Sequence, residues 1–454
     1  MLDRARRAVN AARARIGLRP LVWAVVLATL ALALDFVPLY DVLGYDFAFA
    51  MGLAAALAGV DIGQGVIARA RRVRAGAETA SGTGPVGPGP LAPRGAELAR
   101  AFGEACLLAA GTLVIPLLLS LANAGRIRNC NFAAGLGFFL LLPVATVLYA
   151  APAGVLAGLV APAPRRGRAL AFAIPLLSIL WTLLRLYRDP PVFAFDPFGG
   201  YFPGPIYDEA LRPPLSLLLF RVANLVWIGT AVVVALAAAG GGLDPRRWCR
   251  GARAGAIPLL AASIALYALG GRLGFHLGHA DLERALDRTL VTDHFVIHTA
   301  TSAKTRTELA LTAEDLEFRY QQLRETFGVE PRLPITVWDF PSAEVKKALV
   351  GAGETLYAKP WTREMFVQEH FPSTRLRHEM AHVFAGTFGD PFFGVALAWR
   401  GPLPHPVLAM GLVEGVAEAA TAADPSGDAT IHQEARSEER RVGKECRSRW
   451  SPYH

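Results

Sequence analysis

The chain is 454 residues long, 53% apolar, only 19% charged, and carries a formal charge of +8, with a mean hydropathy of +0.34. That balance excludes an ordinary soluble protein of this length. The positive charge does not mark a nucleic-acid binder, because most arginines sit in short segments flanking apolar runs, where membrane topology accounts for them.

Arginine far outnumbers lysine, and Ala, Gly and Pro are abundant, which points to a GC-rich bacterial coding sequence. The four cysteines, Cys106, Cys130, Cys249 and Cys446, form no close pair. Neither a disulfide framework nor a thiolate metal site is expected.

In chain order, the opening "MLDRARRAVNAARARIGLRP" precedes an apolar run without a small-residue cleavage site. The run reads as an uncleaved first span. Crossing a bilayer takes about 20 apolar residues, and seven stretches approach or exceed that length: 20–38, 46–68, 101–122, 133–160, 168–187, 215–240 and 254–275. Pro116, Pro143, Pro152 and Pro175 fall inside them, which membrane helices tolerate. Residues 1–275 are therefore expected to form a multi-pass α-helical membrane domain.

The loops alternate in charge. One set carries Arg4, Arg6, Arg7, Arg13, Arg15 and Arg19, then Arg69, Arg71, Arg72 and Arg74, then Arg165, Arg166 and Arg168, then Arg246, Arg247, Arg250 and Arg253. The other set is poorer in Arg, with Arg126 and Arg128 as the exception. The positive-inside rule places the first set and the N-terminus in the cytoplasm. An odd number of spans then puts everything after residue 275 outside it, on the far face of a bacterial inner membrane. The Gly/Pro-rich stretch 75–93 reads as a disordered linker. The aromatic, Pro-rich loop 188–214 reads as an ordered cap at the membrane surface. Arg185, Arg221 and Asn224, near the outer span ends, read as paired or snorkelling groups.

Residues 276–435 have the pattern of a globular α+β domain. "HFVIHTA" (294–300) alternates as a strand does. Leu309, Ala313, Leu316, Tyr320, Leu323 and Phe327 recur at helical spacing, with Gly328 as the stop. "LPITVWDF" (333–340) and "EMFVQE" (364–369) read as strands. A helix follows, with Ser373 or Thr374 as its N-cap. The expected order is strand, helix, strand, strand, helix.

That last helix contains "LRHEMAHVFAG" (376–386). Residues four apart share a helix face, so His378 and His382 can offer ring nitrogens to one Zn2+ at about 2.0–2.1 Å. Glu379, one step round, can take the proton of a water that the metal has acidified toward ~7. This is the logic of HExxH. Met380, Val383 and Phe384 supply the apolar positions a buried site helix needs. Downstream, "GLVEGVAEAA" (411–420) offers Glu414 and Glu418, one turn apart on one face, as third-ligand candidates.

"HEMAH" followed by "GLVEGVAEAA" resembles the gluzincin metallopeptidases, the thermolysin- and aminopeptidase-like group. The resemblance covers about residues 290–420. It implies His378, His382 and Glu414 as zinc ligands, Glu379 as general base, and Glu418 as a group supporting a ligand histidine. It also implies a peptide or protein substrate, and likens 364–369 to the edge strand that pairs with substrate backbone in this group. The interval from His382 to Glu414 is longer than in thermolysin-like members, and Glu418 is the rival ligand. His294 and His298 share a strand face and read as surface rather than site-lining residues, His370 sits just before the motif helix with approach to the cleft as the lesser reading, and His276 and His279 read as interfacial.

The expected function is that of a membrane-anchored zinc metallopeptidase acting outside the cytoplasm. A transporter or envelope scaffold with a catalytically inactive zincin-like domain is one alternative. An intramembrane-cleaving zinc protease is another, and the polar "FPSTRLRHEMAH" context speaks against it. The final stretch, 436–454, changes character: it is basic, polar and without periodicity. It resembles an in-frame translation of a common sequencing adapter, in which AGA TCG GAA GAG CGT CGT reads Arg-Ser-Glu-Glu-Arg-Arg. On that reading the net charge without it is +5, since the tail holds six basic and three acidic residues. Cys446 and His454 then carry no function, and the domain is cut soon after its third ligand.

Overall fold

In the computed structural model the described residues are 17–80, 95–127, 129, 131–204, 211–241, 248, 250–368, 371, 373, 375–388, 395, 397–400, 405–408 and 410–421. They fall into two compact units. One comprises Met1–Tyr187, Phe193–Phe202 and Ala210–His276; the other comprises Arg188–Val192, Pro203–Glu209 and Leu277–His454.

Among its described residues, the regular structure of the first unit is helical apart from one short hairpin. Its helices are α1 (Leu18–Leu34), α2 (Tyr45–Ala80), α3 (Gly95–Gly111), α4 (Val114–Asn123), α5 (Phe132–Phe139), α6 (Ala145–Val160), α7 (Pro164–Arg188), α8 (Leu215–Gly241) and α9 (Arg250–Ala268). A five-residue π-turn, Leu140–Val144, joins α5 to α6 without a break. Among the described residues, five stretches are long and apolar enough to cross a membrane: Tyr45–Gly76, Gly95–Asn123, Phe132–Val160, Pro164–Arg188 and Leu215–Ala239.

The first and last of the seven expected spans fall short, as the shorter apolar helices Leu18–Leu34 and Arg253–Ala268. The reasons are local. Asp35 caps α1, and Pro38 follows within one turn, where its missing N–H and its ring disfavour further helix. Beyond Ala268 the backbone turns through Gly270 and Gly271. The expected linker at 75–93 also begins later than its composition suggests, because α2 runs on to Ala80.

Small residues set the pairing of α2 with α6. Gly59 and Gly63 on α2 and Gly154 and Gly158 on α6 are each spaced four apart. A Cβ on Gly63 would lie 2.0 Å from the Ala151 carbonyl oxygen, and one on Gly154 would lie 2.1 Å from that of Val60. Only glycine admits this approach. Several charged groups in the bundle have partners. Asp61 accepts from Arg168 Nε (2.8 Å) and Trp23 Nε1 (3.1 Å) and pairs with Arg19 (3.2 Å). Arg126, the exception to the charge pattern, donates to Asn123 Oδ1 (2.8 Å) and to the Asp35 carbonyl, and lies over the Phe36 ring. It thus holds a turn together.

Arg221 is fully enclosed, as expected of a paired group. It donates to the carbonyls of Leu141 (2.6 Å) and Pro197 (3.0 Å) and to Thr146 Oγ1 (2.9 Å). One of these carbonyls lies within the π-turn around Pro143. Asn224 is buried and its amide atoms have no hydrogen-bond partner among the described residues. The loop expected to be an ordered cap contains the hairpin β1 (Ala194–Asp196) and β2 (Gly200–Phe202). Asp196 anchors it by accepting from Ser178 and Thr182 hydroxyls and from the Phe198 and Gly199 amides.

The second unit is built on a five-stranded sheet. Its elements are α10 (His279–Ala285), β3 (Arg288–Val291), β4 (Phe295–Thr299), α11 (Arg306–Phe327), β5 (Ile335–Asp339), α12 (Ala343–Val350), β6 (Tyr357–Lys359), β7 (Glu364–Val367), α13 (Arg375–Ala385), β8 (Leu397–Arg400), β9 (His405–Leu408) and α14 (Met410–Thr421). The sheet order is β3-β4-β5-β7-β6. Strands β4, β5 and β7 are parallel, while β3 and β6 run antiparallel to their neighbours. Strands β8 and β9 pair with each other.

Alternation along the strands divides the buried side chains. Phe295, Ile297, Val337, Met365 and Val367 join Leu309, Leu316, Tyr320 and Leu323 of α11 and Met380, Val383 and Phe384 of α13. Trp338 and Phe366 join Leu282, Leu286 and Val350 in a second cluster. Helix α11 opens on a capping box, Thr305 with Glu308, and stops at Gly328 in the left-handed conformation (φ 67°), as its sequence predicts.

Two expectations are corrected here. The segment 364–369 is not an edge strand: β7 lies between β5 and β6, with all four residues buried. The short "YAK" strand β6 takes the edge, returned onto β7 by a turn in which Arg363 adopts a left-handed backbone (φ 58°). The order strand, helix, strand, strand, helix holds for the elements it named, but α10, β3, α12, β6, β8 and β9 are additional. Each is eight residues or shorter, too short to set up a clear periodicity.

Candidate metal centre

The site is carried by α13 and α14, whose buried Met380, Phe384, Ala417 and Ala420 share one core. Helix α13 shows why the motif sits as it does. Leu376, Met380, Val383 and Phe384 bury its apolar face, which leaves His378 half-buried and His382 at the rim of the core. The two rings lie 4.8 Å apart at 86°, as residues one turn apart on a common face should.

Glu414 of α14 closes the group. His378 Nε2 is 3.3 Å from Glu414 Oε2, and His382 Nε2 is 3.7 Å from the same oxygen. The three ligand atoms lie within 4.8 Å of one another. Ligands held tetrahedrally at zinc distances lie ~3.3 Å from each other, so the spacing suits one divalent ion. Glu418 takes the opposite side of the first histidine, with Oε2 3.9 Å from His378 Nδ1. The geometry therefore separates two carboxylates that spacing alone left equivalent: Glu414 faces both histidines, Glu418 one.

The electrostatics agree with a cation site. Burial and the neighbouring His378 charge lower the His382 pKa to about 4. Its imidazole is neutral at physiological pH, the form a metal needs. Burial also disfavours a charged His378, but the hydrogen bond to Glu414 and the carboxylates around it outweigh burial and raise its pKa. Glu414 is lowered in turn, chiefly by that hydrogen bond. The field that favours a proton on His378 favours any cation among these donors.

Glu379 lies on the buried side of α13, 7% exposed. Burial pushes its carboxyl up to about 7, against the charges of His378, Lys346 and Arg375. Its Oε2, like His382 Nδ1, is buried with no hydrogen-bond partner among the described residues. A dry, unpartnered carboxyl oxygen with a pKa near neutrality is what a proton acceptor requires.

His378, His382 and Glu414 are thus brought together, with Glu418 beside His378 and Glu379 on the buried side of the same helix. The other histidines are placed elsewhere. His294 pairs with Glu317 (2.6 Å) and stacks on Tyr320. His298 stacks on Trp338 at 4.4 Å. His279 bonds Glu364 (2.9 Å), and His276 stacks on Trp227. His370, Thr374 and the tail 436–454 lie outside the described residues. Of the cysteines, Cys106 is described and forms no disulfide. The residue that sequence reasoning missed is Lys346. It is fully buried, bonds the Thr355 carbonyl (2.6 Å), and places positive charge near Glu379. Its setting, "SAEVKKALV", reads as an ordinary solvated helix and carries no signal of this.

Comparison with family models, with curated proteins and with solved structures gives no match to this chain.

Proposed function

We propose that this protein is a multi-pass membrane protein whose second unit is a zinc metallopeptidase of gluzincin type. His378, His382 and Glu414 would hold the ion. The observation that carries the reading is the convergence of three ligand atoms within 4.8 Å beside a buried, unpartnered Glu379 carboxyl. Zinc, when bound, supplies Lewis acidity that makes water a nucleophile at neutral pH and polarises a carbonyl.

The chain's own residues do the rest. Glu379 accepts the nucleophile's proton and returns it to the leaving amine, a cycle that its pKa near 7 suits in both directions. Glu418 holds the His378 ring in place from the Nδ1 side. Strand β6, rather than 364–369, is the edge on the β7 side of the sheet, where extended peptide backbone would pair. The substrate is a peptide or protein.

Five long apolar stretches support a place in a bilayer. The arginine-rich loops support a reading with the N-terminus in the cytoplasm and the catalytic unit outside the inner membrane. The test is the purified full chain with Glu379→Gln. It should keep its zinc and lose hydrolysis of a peptide library, because Glu379 moves a proton and ligates nothing. Unchanged cleavage, or loss of the metal in that variant, refutes the assignment.

A further inference from the structure

The second unit includes a piece of chain that sequence order assigns elsewhere. Arg188–Val192 belongs to it, although Tyr187 before and Phe193 after both belong to the first unit. This five-residue strap, "RDPPV", is fastened to β6 and α12. Tyr357 Oη donates to the Pro190 carbonyl (3.1 Å). Lys359 Nζ donates to the carbonyls of Asp189 and Pro191, the latter at 3.1 Å. The Val192 amide donates to the Val350 carbonyl (2.9 Å). Pro190 and Pro191 are buried, and Lys359 is 4% exposed. Consecutive prolines hold the strap extended, so its carbonyls are presented as a row of fixed acceptors.

Strand β6 also touches the metal helix. Tyr357 stacks on Phe366 (4.4 Å) and Lys359 stands opposite Glu364, whereas Ala358 turns the other way, into the core that holds Met380 and Phe384 of α13. Just past β6, Pro360 closes on the end of α13 so tightly that a Cβ on Gly386 would come within 2.6 Å of its own Cβ. Strap, β6 and metal helix therefore form one continuous stack. A buried ammonium is costly unless acceptors surround it, and the Asp189 and Pro191 carbonyls of the docked strap supply two for Lys359.

We propose that Arg188–Val192 is a positioning strap. By fixing Lys359 and Tyr357 it seats β6, and through β6 it sets α13 at the position where His378 and His382 meet Glu414. The strap is tethered at both ends to the membrane-spanning part of the chain, so metal affinity responds to whatever loosens those tethers. This rests on the metal reading above.

The test uses the full chain in detergent, with zinc affinity measured by chelator competition. Lys359→Met, and replacement of Asp189–Val192 by Gly-Ser-Gly-Ser, should each weaken zinc binding at least tenfold. Lys359→Arg, which keeps a cation and its donors, should recover most of it. Amide exchange should quicken in α13 and not in α11, and trypsin should cut faster after Arg188. Zinc affinities within twofold of the parent overturn the proposal, as does loss of protection in α11 together with α13, which would mean general unfolding. If the parent chain binds no zinc, the metal reading fails on its own. The strap is then judged by exchange alone: unchanged α13 protection in both variants overturns it.

Discussion

Replacing Glu379 with glutamine should stabilise the metal-free protein, and only at the pH where the buried carboxylate is charged. Burial moves the Glu379 carboxyl from its usual 4.5 to about 7. Between those values the folded state keeps a proton that the open chain has lost. A raised carboxyl pKa therefore costs stability as pH climbs through this window: the penalty is small at pH 4.5 and complete above pH 7. The gap corresponds to about 3 kcal/mol, or roughly a hundredfold in an opening equilibrium. Glutamine keeps the shape and cannot ionise. The assay is amide exchange in α13 with chelator present, where opening exposes Glu379 to water. Relative to the parent, exchange in Glu379→Gln should slow by roughly a hundredfold at pH 8 and by no more than about threefold at pH 4.5. Any cost of burying the amide is common to both pH values and drops out of the comparison. An equal effect at the two pH values would show that Glu379 is not held dry, and the proton-acceptor argument would lose its basis.

Other consequences are as direct. Glu414→Ala should lower zinc affinity by a hundredfold or more, and Glu418→Ala by about tenfold, as for a group that supports a ligand; chelator competition on both variants decides, and the reverse order would exchange their roles. Fusing a reporter active only outside the cytoplasm after Arg272 should give activity, and fusing it within 75–93 should give none, with the opposite pattern contradicting the loop charges. Gly154→Val should prevent α2 and α6 from approaching, since even a Cβ would meet the Val60 carbonyl at 2.1 Å; the variant should aggregate in mild detergent, and a monodisperse product would refute that pairing.

How much of this was legible in the sequence depends on the range of the interactions. Local signals carried far: the Thr305–Glu308 capping box, the Gly328 stop and the α11 heptad-like face are all where the residues put them. The site histidines were readable because four-residue spacing dictates a shared face. Glu414 needed the family resemblance, since Glu418 shares its face and only packing of α14 on α13 distinguishes them. What depended on distant chain stayed hidden. The edge position of β6 arises from a three-residue strand with no periodicity, and the burial of Lys346 and Lys359 from acceptors elsewhere in the chain. Span length was overestimated at both ends of the membrane half, because hydropathy continues past Asp35 and Ala268 while helical backbone does not.

The most direct test of the central claim is metal content, measured by elemental analysis on the purified full chain and on His378→Ala with His382→Ala. One zinc per parent chain and none in the double variant, with an otherwise unchanged elution profile, is the expected result. A parent chain without zinc after purification in its presence, or a double variant that retains it, would contradict the assignment of the His378, His382 and Glu414 group as a zinc site.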